Sequence, residues 1–326
     1  EGFNLENKFT TISLSDNIYG FPRQTDVNGD GRLDIIYSTI NESDQIRVLL
    51  QEETHEYNRE IIAEVSNYHD YEFIRGEEHD TLVQIHNPTR RLNFIHLNMT
   101  NDSTDQAYQT PEIINFDSDY EMLPDSLMST DLDGDGDKDF LSGIEDQASL
   151  RLIFSENGNL TDQIVPSLKS INEIKEVSID GEKYYFLHSS EESLLAWTNW
   201  NKAIKRLEFP QPVTLPETPI TFEVFEEGET DSLILAVKNQ DTNESSLHVV
   251  KAGRKLTLNE GTKLIDIPEK HELSKIKVVD LDLNGKPDII CFYEYKDPQV
   301  YIPNSENQYE LLQDNTILNG MLSDAD

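Results

Sequence analysis

A single cysteine, Cys291, in 326 residues excludes an intrachain disulfide framework and any zinc cluster built on cysteine. No run of about 18 apolar residues occurs, so no segment reads as a membrane-spanning helix. Basic residues are scarce as well: 26 Lys and Arg stand against 63 Asp and Glu, a formal net charge of −37. Self-repulsion on that scale argues against nucleic acid or an anionic membrane as a partner. The common catalytic signatures H-E-x-x-H and G-x-S-x-G are missing, as is a phosphate-cradling glycine loop. Long helical periodicity is missing too, which leaves little room for an α/β fold. The chain opens on Glu1 and shows no signal-peptide pattern, so the expectation is a processed or trimmed piece of a larger multidomain protein.

What is present is acid, and it is not the acid of a disordered tail. Strand-like apolar runs recur along the whole length, with 13 Phe and 13 Tyr. Three acidic clusters share one grammar. Asp26-Val-Asn28-Gly-Asp30-Gly-Arg32-Leu-Asp34 runs into Ile35-Ile36-Tyr37. Asp131-Leu-Asp133-Gly-Asp135-Gly-Asp137-Lys-Asp139 runs into Phe140-Leu141. Asp280-Leu-Asp282-Leu-Asn284-Gly285-Lys286-Pro-Asp288 runs into Ile289-Ile290-Cys291.

The spacing has a chemical reason. Calcium takes six to eight hard oxygen ligands at about 2.3–2.6 Å, and alternate residues of a tight loop aim several carboxylates at one centre. Glycine at the sixth position permits the backbone reversal that turns the seventh carbonyl inward, and the ninth residue supplies a last carboxylate. Without a cation, carboxylates held this close repel one another. An EF-hand loop begins the same way but needs a bidentate Glu at its twelfth position and helices on both sides. Here the twelfth positions are Tyr37, Ser142 and Cys291, and the residues before them favour strands, so the EF-hand is rejected.

The loops begin at 26, 131 and 280, gaps of 105 and 149, or about two and three units of ~50 residues. Degraded copies are therefore expected near 76, 180 and 230, and a Gly-containing turn between apolar runs occurs at each place. After each hairpin come further strand-like stretches. The third of each unit covers Ile46–Leu50, Leu92–Leu97, Leu150–Phe154, Leu194–Trp197, Leu247–Val250 and Val300–Ile302. The fourth includes Glu60–Val65, Glu112–Phe116, Ile204–Phe209 and Leu264–Ile267. Four short strands per ~50 residues is the unit of a β-propeller blade.

The expected fold is all-β, a seven-bladed β-propeller forming one domain over 1–326. Six blades fall at about 18–67, 68–118, 119–168, 169–216, 217–267 and 268–316. The seventh is split between 1–17 and 317–326, because Phe9–Leu14 reads as an outer strand and Asp324 and Asp326 restart the acidic ladder. On this expectation the chain stops inside a calcium motif, truncating the closing blade.

These motifs resemble the integrin-α-type propeller repeats, the FG-GAP/VCBS class, over essentially the whole chain. The likeness is nearer to the VCBS-like bacterial variety than to integrins proper, since the family's FG and GAP motifs are poorly kept and Phe21 in Tyr19-Gly20-Phe21-Pro22 is their nearest echo. The resemblance implies calcium ligands from the side chains at positions 1, 3, 5 and 9 and the carbonyl at position 7. These are Asp26, Asn28, Asp30, Asp34 and the Arg32 carbonyl; Asp131, Asp133, Asp135, Asp139 and the Asp137 carbonyl; and Asp280, Asp282, Asn284, Asp288 and the Lys286 carbonyl. Asp324 and Asp326 would begin a fourth, incomplete set. The third loop departs most from the pattern, with Leu283 where the others have Gly, and with Pro287.

Such calcium is expected to be structural, and weak sites of this kind stay filled at the millimolar calcium outside cells. That favours a secreted or cell-surface address, and the lack of disulfides favours a bacterial one. The expected role is a non-catalytic binding or adhesion module for an extracellular protein or glycan. The alternative is a calcium-dependent carbohydrate-active enzyme of the polysaccharide-lyase kind, which so few basic residues do little to support. His86 and His96 fall on predicted strands, and Cys291 reads as a buried small hydrophobe. Trp197 and Trp200, with Tyr184 and Tyr185, read as packing between blades more readily than as a sugar platform.

Overall fold

A computed structural model describes residues 18–25, 30–39, 45–53, 57, 59–64, 71–74, 81–86, 91–96, 112–115, 126–156, 159–215, 217–225, 229–253, 262–268, 272–279, 286–293, 296–304, 306 and 308–312. The predicted outer strand Phe9–Leu14, the ladder start at Asp324 and Asp326, and the turns near 76 and 226–228 lie outside them.

Among the described residues the protein is all β, without an α-helix, and is built of four-stranded antiparallel meanders. The first sheet is β1 (Ile18–Thr25), β2 (Asp34–Thr39), β3 (Gln45–Leu50) and β4 (Arg59–Glu64). The second is β5 (Tyr71–Ile74), β6 (Thr81–His86), β7 (Arg91–His96) and β8 (Glu112–Asn115). The third is β9 (Met128–Thr130), β10 (Asp139–Gly143), β11 (Ser149–Glu156) and β12 (Asn159–Pro166). The fourth joins β13 (Ile171–Ile179), β14 (Glu182–Ser189) and β15 (Leu194–Thr198) to β18 (Gln211–Pro212). The fifth is β19 (Thr218–Phe225), β20 (Ser232–Lys238), β21 (Ser245–Lys251) and β22 (Thr262–Ile267). The sixth is β23 (Leu273–Val279), β24 (Asp288–Tyr293), β25 (Lys296–Pro303) and β26 (Tyr309–Leu311).

The chain divides into two compact units. One comprises Glu1–Thr11, Asp146–Leu150 and Val165–Leu322; the other comprises Ile12–Glu145, Arg151–Ile164 and Ser323–Asp326.

Within the first unit the second strands β14 and β20 are buried on both faces, which explains why they read as unbroken apolar runs. In β20, Leu233, Leu235 and Val237 join Tyr184, Phe186, Leu195 and Phe222 in one core cluster. Alternate residues Ile234 and Ala236 join Ile276, Ile289, Cys291 and Tyr301 in another. A period of two sends successive side chains to opposite faces, so one strand fills two inter-sheet layers. Tyr184 and Trp197 meet edge to face at 5.6 Å across the neighbouring strands β14 and β15, so this contact lies within one sheet and is not the packing between blades expected of them.

The first strands β13, β19 and β23 each carry a register shift, at Ile171/Glu173, Pro219/Thr221 and Leu273/Lys275. Two residues further on stand Lys175, Glu223 and Lys277. Glu223 accepts from Lys175 Nζ at 2.8 Å and from Lys277 Nζ at 2.9 Å, so one carboxylate ties three strands together. Burial would push the Glu223 carboxyl up, yet the two ammonium groups hold it below the ordinary carboxylate range. Beside this row Glu173 accepts from the Thr221 hydroxyl at 2.6 Å and faces His188 Nδ1 at 3.6 Å. Burial lowers the proton affinity of His188.

Asp180 and Gly181 both have positive φ, 53° and 78°, and form the two-residue turn between β13 and β14 that was expected there. The fourth strand expected at Ile204–Phe209 is displaced. Those residues contribute β17 (Arg206–Leu207), which pairs with β16 (Trp200–Asn201) in a separate two-stranded hairpin. The edge of the fourth sheet is the short β18, where Pro212 faces Ala196. Apolar alternation marks a strand but not its partner, which is why the assignment slipped.

Leu235→Ala, at a wholly buried position of β20, is expected to cost about 2–5 kcal/mol in denaturant unfolding. Glu223→Gln, which leaves two lysines facing a neutral amide, is expected to cost about 1–3 kcal/mol after solvent screening.

Candidate metal centre

The loop between β9 and β10 is the one acidic ladder described from end to end. Its carboxylates first satisfy the loop's own amides. Asp131 Oδ1 accepts from Gly134 N at 2.7 Å and Oδ2 from Gly136 N at 3.2 Å. Asp133 accepts from Asp135 N at 3.2 Å, and Asp135 from Asp137 N at 2.8 Å. Gly136, at the sixth position, has φ +100°, a conformation that side chains with a Cβ rarely adopt. These turns wind the chain so that alternate side chains converge.

Asp139 closes the loop. It is buried at 1% exposure and opens β10, opposite Thr130. Its Oδ2 accepts from Leu132 N at 2.9 Å and its Oδ1 from Ser155 N, at the end of β11, at 3.0 Å. Burial drives its pKa up to about 6, against the pull of those amides and with help from the charge of Asp133.

Ligand atoms of Asp131, Asp133 and Asp139 lie within 4.8 Å of one another. Calcium–oxygen distances of about 2.3–2.6 Å put ligands on opposite sides of an ion roughly 5 Å apart, so this trio fits one hard cation. Of the other residues predicted for this site, Asp135 and Asp137 are exposed on the same loop and lie outside the trio.

In the first loop Asp26 and Asn28 lie outside the described residues, whereas Asp30, Arg32 and Asp34 are described. The geometry repeats that of the second loop. Arg32 N donates to Asp30 Oδ1 at 2.9 Å, and Gly31, again at the sixth position, has φ +82°. Asp34 is fully buried, opens β2 opposite Thr25, and accepts from Gln51 N, just past β3, at 2.9 Å. One feature differs: the Arg32 guanidinium forms an ion pair with Asp30. Arg32 was singled out for its carbonyl, but its side chain already supplies a positive charge to a predicted ligand. The third loop is described only at Lys286 and Asp288, with Asp280, Asp282 and Asn284 outside. Asp288 too is fully buried and opens β24, opposite Val279.

Sequence reasoning missed a pair of tyrosines. Tyr57, just ahead of β4, donates to the Leu33 carbonyl at 3.1 Å, and Tyr309, at the start of β26, donates to the Pro287 carbonyl at 2.9 Å. Leu33 and Pro287 both occupy the eighth position, next to the buried aspartate. Each phenol therefore latches its loop to the fourth strand. Burial, and then the charge of Asp288, pushes the Tyr309 phenol up to about 12; burial and Asp34 raise Tyr57 likewise. In the first loop Gln51 bridges the network, donating to the Tyr57 hydroxyl at 3.1 Å and accepting from Arg32 Nε at 2.8 Å. The signal in the sequence was a tyrosine 21 to 23 residues after the ninth-position aspartate, visible only once the loops are aligned. Cys291 is wholly buried, with its thiol pushed up to about 12 by burial, in keeping with a packing role.

No protein-family model matches the chain, and no curated protein matches it. Similarity to solved structures is extensive in space and slight in sequence. A 6-phosphogluconolactonase-like protein from Bacteroides uniformis matches 88% of this chain and 83% of its own, with a TM-score of 0.57 and 10% identity. BBS1N, crystallised in complex with ARL6DN, matches over 93% and 85%, with a TM-score of 0.52 and 9% identity. A functionally unknown protein from Desulfotomaculum acetoxidans matches over 82% and 75%, with a TM-score of 0.50 and 13% identity. At these identities the likeness is one of fold alone.

The raised pKa of Asp139 has a defined sign. The folded, metal-free chain holds this proton more tightly than the unfolded chain, so its contribution to stability is full below pH 3.8 and lost as the pH rises through about 6. A cation held by this trio would have to displace the proton, so titration with calcium in a calorimeter is expected to show affinity falling, and proton release growing, as the pH drops through about 6. Tyr57→Phe removes both the bond to the Leu33 carbonyl and the one accepted from Gln51, each expected to be worth about 0.5–1.5 kcal/mol in urea unfolding.

Proposed function

We propose that the chain is a calcium-stabilised, seven-bladed β-propeller in which the four-stranded sheets are blades. It serves as a non-catalytic binding or adhesion module for an extracellular protein or glycan, on a secreted or bacterial cell-surface protein. The observation that carries this reading is the convergence of Asp131, Asp133 and Asp139 in the hairpin loop of one repeating sheet. Further support comes from the first and third loops, which place a buried aspartate at the same point of their sheets.

In this reading Asp131, Asp133 and Asp139 hold the ion in the second loop. Asp30 and Asp34 contribute in the first and Asp288 in the third. Bound calcium supplies the positive charge that lets crowded carboxylates close an inner hairpin. The chain's own residues do the positioning: glycines reverse the backbone, and amides of the third strand aim the buried aspartate. Because such a site exists only in the folded protein, binding adds to folding stability. The first loop, with Arg32 already on Asp30, gains less from the ion than the second.

Excess EDTA is expected to lower the melting temperature by several degrees, and calcium to restore it. Asp133→Ala is expected to reduce the calcium stoichiometry by one and to shrink the EDTA shift; an unchanged stoichiometry would contradict the ligand assignment. Incubation with uronate polysaccharides is expected to yield no unsaturated products, and calcium-dependent turnover would replace the binding-module reading with the lyase one.

A further inference from the structure

The β16–β17 hairpin reverses the electrostatic character of the molecule. Positions 202–206 hold three basic residues, Lys202, Lys205 and Arg206, and no acid, in a chain of net charge −37. All three are exposed, and among the described residues none of them forms an ion pair. At the tip between them Ile204 is 62% exposed, and Phe209, just beyond β17, is 55% exposed. These are the two most exposed large apolar side chains among the described residues.

The hairpin is braced rather than loose. Trp200 pairs with Leu207 and Asn201 with Arg206. Asn201 Oδ1 accepts from the amides of Ala203 at 3.0 Å and Ile204 at 3.3 Å, and Lys205 sits at φ 48°. At the base the Thr198 hydroxyl donates to the Glu208 carbonyl at 2.6 Å, and Glu208 N to the Asn199 carbonyl at 3.0 Å. The Glu208 carboxylate, the nearest acid in sequence, accepts from Asn201 Nδ2 at 2.8 Å. A tip held this way loses little conformational freedom when it docks.

We propose that this hairpin is a docking surface for a protein partner that presents an apolar pocket rimmed by Asp and Glu. Ile204 is the apolar anchor, and Lys202, Lys205 and Arg206 face the acidic rim. This narrows the ligand of the binding module and rests on that reading, but not on the calcium loops. Charge complementarity selects an acidic partner, because cations around an anchor speed encounter and set orientation. An apolar centre within a charged ring is the usual anatomy of a protein interface. Ile204, the side chain at the basic tip, has no flat face to stack on a sugar ring, and the one exposed aromatic ring nearby, Phe209, lies past β17 rather than at the tip. A charge of −37 opposes a polyanionic bilayer or a long acidic polysaccharide, whereas a compact acidic pocket engages within about 8 Å, the screening length at physiological ionic strength.

The test uses the full chain with calcium present and a fluorescein-labelled peptide of alternating glutamate and leucine, followed by fluorescence anisotropy. Saturable binding is expected, weakening with added salt, and absent for a glutamate–serine peptide and for a lysine–leucine peptide. Ile204→Ser and the paired Lys205→Glu, Arg206→Glu variant are each expected to weaken it by about tenfold or more. Both changes lie at exposed positions, and an unchanged melting temperature will show that the variants fold. Failure of the peptide to bind, or equal binding by the variants, would overturn the proposal. So would hairpin-dependent binding to phosphatidylserine vesicles or to alginate oligosaccharides in place of the peptide. Loss of calcium binding alone would leave the peptide result intact, which separates this proposal from the metal assignment.

Discussion

A buried aspartate at the start of the second strand is the constraint around which each acidic loop is organised. Asp34, Asp139 and Asp288 occupy that place, and all three are almost wholly removed from solvent. In two of them a carboxylate oxygen takes an amide from the end of the third strand, Gln51 for Asp34 and Ser155 for Asp139. One side chain thus fixes the loop, the hairpin register and the neighbouring strand at once. The arrangement has a cost, because a buried carboxylate near other carboxylates resists ionisation, as the raised pKa of Asp139 records. Backbone amides offset part of that cost, and in the proposed function a divalent cation offsets the rest.

Where this device is missing the sheets close by other means. The turn at Asp180 and Gly181 needs only two residues in left-handed geometry, and Glu182 begins β14 directly. There apolar side chains pack on both faces of the second strand, and Glu223 of β19 pairs with Lys175 of β13 on one side and with Lys277 of the Asp288-bearing sheet on the other. Acidic loops anchored by a buried aspartate and tight two-residue turns are thus alternative closures of the same four-stranded unit.

The same division accounts for the charge. The ladders explain where acid is dense, and three bound calcium ions would leave a charge of about −31, so most of the excess belongs to the solvated surface. Against that background a local run of basic residues on the β16–β17 hairpin stands out as chemistry of a different kind.

Much of this was legible in the chain alone, for reasons of range. The ladder residues lie within nine positions of one another, and a tight loop of that length leaves few ways to place its carboxylates. Strand positions were legible because two-sided burial demands unbroken apolar runs, as in Tyr184–Leu187 and Leu233–Val237. The failures were all matters of partnership. Ile204–Phe209 looked like an edge strand, yet hydrogen bonding gave part of it to Trp200 and Asn201. Tyr57 and Tyr309 carry no local mark of their role, because the carbonyls they latch lie 24 and 22 residues away. Lys175, Glu223 and Lys277 are spaced about one repeat apart and meet only when sheets stack. Local spacing thus settled the chemistry each loop offers and the rhythm of the strands. Contacts between distant segments settled which carboxylates converge, which charges pair and which surface remains open, because burial and hydrogen-bond geometry exist only once those segments are packed together.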